Sequence, residues 1–240
     1  QYKLFRALLS LDNNAVVAQR VDEITDNSVS MSGSLVDPSF AVATTDNTVR
    51  VAYTDNTTGD VYYARVGLDN AFLVGSPIRL TKQPYNRGLN PRPRLAMEGT
   101  TRSHIAWAAD DASANPSPIY YAMVKDSATT VDNLAIGATQ VLYGGYRWGF
   151  PTIHVPLASR VLVFAADEPF GTAGMGLAGS LGFSVLNPDA VTQDGNPVTF
   201  ANLPANASFF LSPPGGSVMP ANFDVYRPET VLDSQNSIHV

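Results

Sequence analysis

The sequence predicts an all-β fold, a β-propeller of about four blades. Three observations carry that prediction. Short runs rich in Val, Ile and Tyr, bounded by Asp, Asn, Gly or Pro, follow one another along the chain. The runs fall into groups of four that recur, and a recurring four-stranded group is the unit of a propeller. No stretch carries the 3.6-residue apolar period of a long amphipathic helix.

The most regular group runs from Pro38 to Thr81. It reads PSFAVAT, NTVRVAYTD, GDVYYARVGLD and SPIRLT, four strands separated by turn residues. From Pro93 to Gly144 the group returns as PRLAMEG, RSHIAWAADD, SPIYYAMVKD and ATQVLYG. From Pro151 it returns less regularly as PTIHVPL, SRVLVFAADE, GSLGFSVLNPD and NPVTFAN. The third strands keep the register: Val61 and Ile119 are 58 residues apart, Ile119 and Ser180 are 61 apart, and Tyr2 precedes Val61 by 59. YKLFRALLSLDN is therefore expected to be a third strand and AQRVDEIT a fourth. At the other end, NSIHV matches RSHIAW and reads as a second strand. The expected organisation is one domain over residues 1–240, with blades at about 35–81, 90–144 and 150–202. The fourth combines 208–240 with 2–27, so that strands from both termini share the closing blade and cover each other's edges. The alternatives are a fragment of a larger ring and a β-sandwich.

Composition narrows the function classes. Of 240 residues 45% are hydrophobic and 15% charged, which suits a folded globular chain with a sizeable core. The net charge of −6 and the lack of any basic run argue against a nucleic-acid surface. There is no cysteine, which excludes disulfides and thiolate chemistry within these residues. The most apolar region, Val161 to Leu186, is broken by Asp167, Glu168, Pro169 and several glycines, so no membrane-inserted helix is expected. The first residues read as a strand, not as a leader. Three lysines (Lys3, Lys82, Lys125) against many Asn, Thr and Ser point to an extracellular or cell-surface protein, with the periplasm as the alternative.

The pattern P-x-[aliphatic]-A-[V/M], then [V/I]-A-[Y/W], Asp and [V/I]-Y-Y-A resembles the sialidase-like and BNR-type propeller repeats of bacterial extracellular proteins. Pro38, Val51, Ala52, Tyr53, Asp55, Val61, Tyr62 and Tyr63 carry it in one blade, and Pro93, Ile105, Ala106, Trp107, Asp110, Ile119, Tyr120 and Tyr121 in the next. The resemblance implies the propeller architecture. The Asp-box of that family, S-x-D-x-G-x-T-W, stands in no blade. The family's arginine triad, tyrosine nucleophile with glutamate, and acidic acid/base have no counterparts that can be placed on this chain.

In a propeller the loops between second and third strands share a face with the loops linking successive blades. The first set carries Asp55, Asp110 with Asp111, and Asp167 with Glu168. The second carries Tyr85, Arg87, Tyr146, Arg147 and Trp148. Aromatic faces stack on pyranose rings, and carboxylates and guanidinium groups make charge-assisted hydrogen bonds to hydroxyls. Tyr85, Arg87, Asp110, Asp111, Tyr146, Arg147, Trp148, Asp167 and Glu168 are thus the candidate ligand-binding set. Against each stands a structural role: an Asp after a strand caps a turn, Trp148 packs between blades, and Arg87 and Arg147 repeat an inter-blade position. No cofactor is expected. Calcium is the one ion the acidic pairs Asp110-Asp111 and Asp167-Glu168 suit, though neither EF-hand nor RTX spacing occurs. His104 and His239 fall at nearly matching places in second strands, which predicts a repeated packing role. His154 is expected on an innermost strand, facing away from Ile153 and Val155. Gly171 to Gly182 reads as a flexible connection.

These residues predict a non-catalytic extracellular binding or scaffold module that offers its loop rim to a glycan, a surface polymer or a protein partner, an enzyme being the less favoured class. A sialidase-like or related glycoside hydrolase is the alternative, in which Asp110, Asp111, Asp167 and Glu168 would supply a carboxylate pair. A structural segment of a larger surface assembly is the third reading.

Overall fold

A computed structural model describes residues 5–12, 15–23, 35–43, 48–55, 58–67, 71–73, 75–81, 91–109, 118–142, 148–167, 181–191, 197–199, 230–235 and 237–239. For residues 5–23 and 197–199, and for Asp37, Trp148, Phe150 and Asp167 among others, the description covers the backbone alone.

Four strands form the first sheet, β3 (Leu35–Ala43), β4 (Thr48–Asp55), β5 (Asp60–Val66) and β6 (Ile78–Arg79), in the order β3-β4-β5-β6. The second holds β7 (Arg94–Glu98), β8 (Arg102–Ala108), β9 (Ile119–Lys125) and β10 (Ile136–Leu142). The third holds β11 (Trp148–Leu157), β12 (Arg160–Asp167), β13 (Leu181–Val191) and β14 (Pro197–Thr199). Each is an antiparallel meander in sequence order. Two shorter pairs complete the described strands: β1 (Phe5–Asp12) with β2 (Ala15–Glu23), and β15 (Val231–Leu232) with β16 (Ile238–His239).

The middle strands are rich in Val, Ile, Tyr and Ala because both of their faces are covered. In β8 every residue from Ser103 to Ala108 is buried, a run that a one-sided sheet would interrupt with polar residues. Alternation divides that strand between two cores. Ile105 and Trp107 join Ala52, Val61, Tyr63, Ile78 and Leu80 of the first sheet. Ala106 and Ala108 join Ile153, Val161, Val163 and Ala165 of the third. The second sheet is therefore packed face to face between its neighbours. The edge strand β7 also lies against both β3 and β11, so the first strands of the three sheets gather on one side.

The register explains why the third repeat reads less clearly. Tyr53 opposes Tyr62 and Trp107 opposes Tyr120, stacked pairs with ring centroids 5.5 and 6.0 Å apart. The corresponding cross-strand pair in the third sheet is Ala165 and Gly182. Its aromatic pair, Phe164 and Phe183, sits one residue along, and a one-residue step moves side chains to the opposite face.

The first strands share one irregularity. Between Val36 and Ser39, and again between Gly149 and Thr152, three steps on the first strand oppose two on the second. In the second sheet Arg94 opposes Ala106, while the Pro91 carbonyl accepts the Ala108 amide at 2.8 Å, the same count. Each sheet thus bulges at an X-Pro step: Asp37-Pro38, Arg92-Pro93 and Phe150-Pro151. Proline lacks the ladder N–H and is tolerated at such a place.

Close approach between sheets also fixes Gly75, in the connection between β5 and β6. Its φ is +75°, and a Cβ there would lie 2.5 Å from Cγ2 of Thr129 in the second repeat. Gly75→Ala is expected to destabilise the fold by about 2 kcal/mol, through backbone strain and displaced packing. Chemical denaturation would measure it, and an unchanged midpoint would contradict this account of the interface.

Candidate functional site

Antiparallel pairing puts the start of each first strand beside the end of its second strand. Leu35 opposes Asp55, and Trp148 opposes Asp167. Trp148 and Asp167, expected in loops, are paired terminal residues of β11 and β12. The sequence placed the strand boundary at the proline, but the bulge carries the strand past it. Asp55 likewise ends β4, and its carbonyl accepts the amides of Thr58 (3.3 Å) and Gly59 (2.8 Å). Tyr85, Arg87, Asp110, Asp111, Tyr146, Arg147 and Glu168 lie outside the described residues, as do Gly171 to Ser180.

Sequence reasoning missed Asp60, the cross-strand partner of Asp55 at this same end. Asp60 is buried, accepts a 2.6 Å hydrogen bond from the Thr81 hydroxyl, and has Arg79 at 3.8 Å. An aspartate before a strand gives no sequence sign of such burial. Here the carboxylate ties β5 to the end of its own sheet.

The opposite end carries a polar network between the second and third repeats, buried at His104 and open to solvent at Asp189. Glu98, ending β7, takes His104 Nε2 at 3.1 Å and Arg102 at 3.2 Å on one oxygen. Its other oxygen accepts the Ser159 amide at 2.7 Å. Arg102 continues to Asp189 at 2.6 Å, and Ser159 donates its hydroxyl to the same carboxylate. The Tyr121 hydroxyl lies 2.7 Å from His104 Nδ1. Both imidazole nitrogens are thus satisfied in the neutral form, with Nε2 donating to Glu98 and Nδ1 accepting from Tyr121. Burial drives His104 down to about 4 despite the pull of Glu98. The same burial pushes Tyr121 up, while Arg102 and Ser159 hold Asp189 low. This is a structural clamp, since every polar atom of His104 and Glu98 is engaged within the protein.

His104 and His239 do not share a packing role, contrary to the sequence expectation. His104 is enclosed between sheets, whereas His239 is exposed and bonds Asp233 across its own hairpin at 2.8 Å. The difference follows from cover: β15 and β16 form a two-stranded sheet, with Val231 63% exposed. His154 behaves as expected. Ile153 enters the core and Val155 packs on it, while His154 turns the other way to Thr230 at 2.5 Å, which in turn bonds Thr152 at 2.7 Å.

Among the described residues no cluster of three or more His, Asp or Glu is arranged to hold a metal ion, and no helix is long and apolar enough to cross a membrane.

No protein-family model matches the sequence, and no curated protein does. Among solved structures, a GH93 α-L-arabinofuranosidase of Fusarium graminearum is similar at 12% identity, over 80% of this chain and 60% of that one, with a TM-score of 0.47. An endo-1,4-β-xylanase of Bacteroides thetaiotaomicron is similar at 10% identity, over 81% and 74%, with a TM-score of 0.45. A GH43 endo-arabinanase of Bacillus licheniformis is similar at 14%, over 77% and 62%, with a TM-score of 0.40. The chain spans about three fifths of the arabinofuranosidase and of the arabinanase. The likeness is one of fold, it is not to BNR repeats in particular, and no residue's role is carried over. The expectation of a non-catalytic module and of a non-enzyme is corrected to this extent: these three similar structures are all glycoside hydrolases, and at this similarity they bear on the fold and assign no activity to the chain. The expectation had rested on the missing sialidase set. Glycosidic cleavage in general needs only two suitably spaced carboxylates, so that gap excludes one catalytic apparatus and not catalysis.

The clamp gives a pH dependence with a definite sign. His104 titrates near 6.5 when unfolded and near 4 when folded. The unfolded chain therefore takes up the proton first, and stability falls as pH drops from about 6.5 towards 4, by at most about 1.4 kcal/mol per pH unit for this one group. His104→Gln is expected to flatten that part of the profile of Tm against pH. An identical slope in the variant would refute the assignment.

Proposed function

We propose that this chain is a propeller-type glycoside hydrolase acting outside the cell on a polysaccharide. The observation that carries the reading is the pairing of Trp148 with Asp167 at one end of the third sheet. It sets an aromatic residue, of the type suited to a sugar face, opposite an aspartate in the strand register, with Tyr146, Arg147 and Glu168 adjoining them in sequence. Asp110 and Asp111 follow the corresponding second strand of the preceding repeat. These four acidic residues, which in sequence end or directly follow neighbouring second strands, are a sufficient supply for an acid and a base or nucleophile. Their separation, about 5–5.5 Å or about 6.5–9.5 Å, would set retention or inversion. The architecture we favour is a four-bladed ring in which β1–β2 and β15–β16, two strands each, supply the two halves of the closing blade. The low lysine content and abundance of Asn, Ser and Thr support the extracellular placement.

The test is release of reducing sugar from arabinan, xylan, galactan and related polysaccharides by the wild type and by Asp110→Asn, Asp111→Asn, Asp167→Asn and Glu168→Gln. Two of the four substitutions are expected to lower kcat by about 100-fold or more, with Tm unchanged. Activity within threefold of wild type in all four would remove these carboxylates from the chemistry.

A further inference from the structure

Arg94 opens β7, and strand alternation fixes the face it occupies. Leu95 and Met97 belong to the core shared with the first sheet, while Ala96 packs on the core shared with the third. Arg94 and Glu98 therefore lie with Ala96 on the face turned to the third sheet. The register agrees, since Arg94 opposes Ala106, a member of that same core. Glu98 shows where the face leads: it accepts the Ser159 amide in the turn between β11 and β12. Arg94 stands about 13 Å back along the strand, towards the other end of β11, where Trp148 opposes Asp167.

The two charged residues of this face differ in their engagement. Both oxygens of Glu98 are held within the protein. Arg94 makes one hydrogen bond, from Nη1 to the carbonyl of its own neighbour Pro93 at 3.2 Å, and among the described residues it meets no carboxylate. Arg50, Arg79 and Arg102 each hold an aspartate or glutamate of the chain. Arg94 is nevertheless partly buried, and taking a charge out of water without a counter-charge costs free energy that a bound anion would offset. A guanidinium carries five N–H donors in a flat, fixed fork geometry. With Nη1 turned to Pro93, the edge formed by Nε and Nη2 remains, and such an edge matches the two oxygens of a carboxylate.

We infer that Arg94 binds the carboxylate of a uronic-acid unit, so that the polysaccharide is an acidic one. The inference rests on the glycoside-hydrolase reading above and narrows its substrate class. Arg94 holds and orients the chain through two charge-assisted hydrogen bonds, on the side turned to the sheet that ends at Asp167. Bond cleavage is left to the acidic residues already named. A neutral arabinan or xylan carries no anion for the fork.

The decisive variant is Arg94→Met, which keeps an apolar stem and removes the guanidinium, with Arg94→Lys as its conservative partner. Calorimetry would follow binding of hexagalacturonate and of a glucuronate-bearing xylohexaose, each beside its neutral methyl ester. Hydrolysis of polygalacturonate, glucuronoxylan and arabinan would be measured in parallel, together with Tm. The wild type is expected to bind an acidic hexaose at least tenfold more tightly than the ester. Arg94→Met should weaken that binding tenfold or more, or raise KM by as much with kcat little changed, at an unchanged Tm. Arg94→Lys should fall between the two. If the acidic hexaose binds through Arg94 and no polysaccharide is cleaved, the inference stands and the hydrolase reading falls. If a polysaccharide is cleaved while Arg94→Met keeps wild-type KM and affinity, the inference falls and the hydrolase reading stands. A lowered Tm at unchanged affinity would make Arg94 a packing residue and overturn the inference. A wild type that neither binds an acidic hexaose nor cleaves any of the polysaccharides overturns both.

Discussion

Burial of both faces of the second sheet is the constraint on which the rest of the structure depends. Its two middle strands cannot alternate apolar and polar residues, because each face meets a neighbouring sheet. On each face a large side chain stands opposite a small one: Tyr121 opposes Ala106 on one side, and Ile105 opposes Ala122 on the other. That pairing of large with small lets both faces interlock with their neighbours, as close-packed interiors require. Gly75 and the fully buried Tyr63, whose hydroxyl reaches Ser103 at 3.0 Å, are consequences of the same approach. Polar groups are then admitted between sheets only where a partner waits.

Much of this order was legible because the buried positions repeat as residue types. Tyr62-Tyr63-Ala64 and Tyr120-Tyr121-Ala122 announce a third strand covered on both faces. The third repeat was harder to read because its aromatic pair had moved to the opposite face, which leaves the strands intact and erases the motif. The end of the sheets that holds Asp55 and Asp167 was less legible. Proline was taken as the start of each first strand, since it cannot donate to the ladder. The bulge escapes that restriction, and strand pairing continues to Leu35 and Trp148. Trp148 was therefore assigned to a loop. The burial of Asp60 left no mark in the sequence at all, because it depends on Thr81, which is distant along the chain.

One equivalent cross-strand position shows how the repeats were differentiated without disturbing the fold. Arg50 opposes Ala41, His104 opposes Ala96, and Leu162 opposes His154. In the first two pairs the polar side chain is on the second strand and the first strand contributes an alanine. Arg50, 1% exposed, reaches Asp126 of the next repeat at 3.0 Å. His104 reaches the third repeat through Glu98 and Ser159. In the third pair the roles are exchanged: the second strand keeps leucine and the first strand carries the imidazole, which meets Thr230. A polar link to the following segment is kept each time, but its chemistry changes from ion pair to neutral histidine clamp to histidine with threonine hydroxyls. Removing one partner of such a buried link costs more than the link contributes, because the other is left unsatisfied. Each interface therefore accepts its own neighbour and penalises the others, and repeats of similar shape are held to a single order around the core.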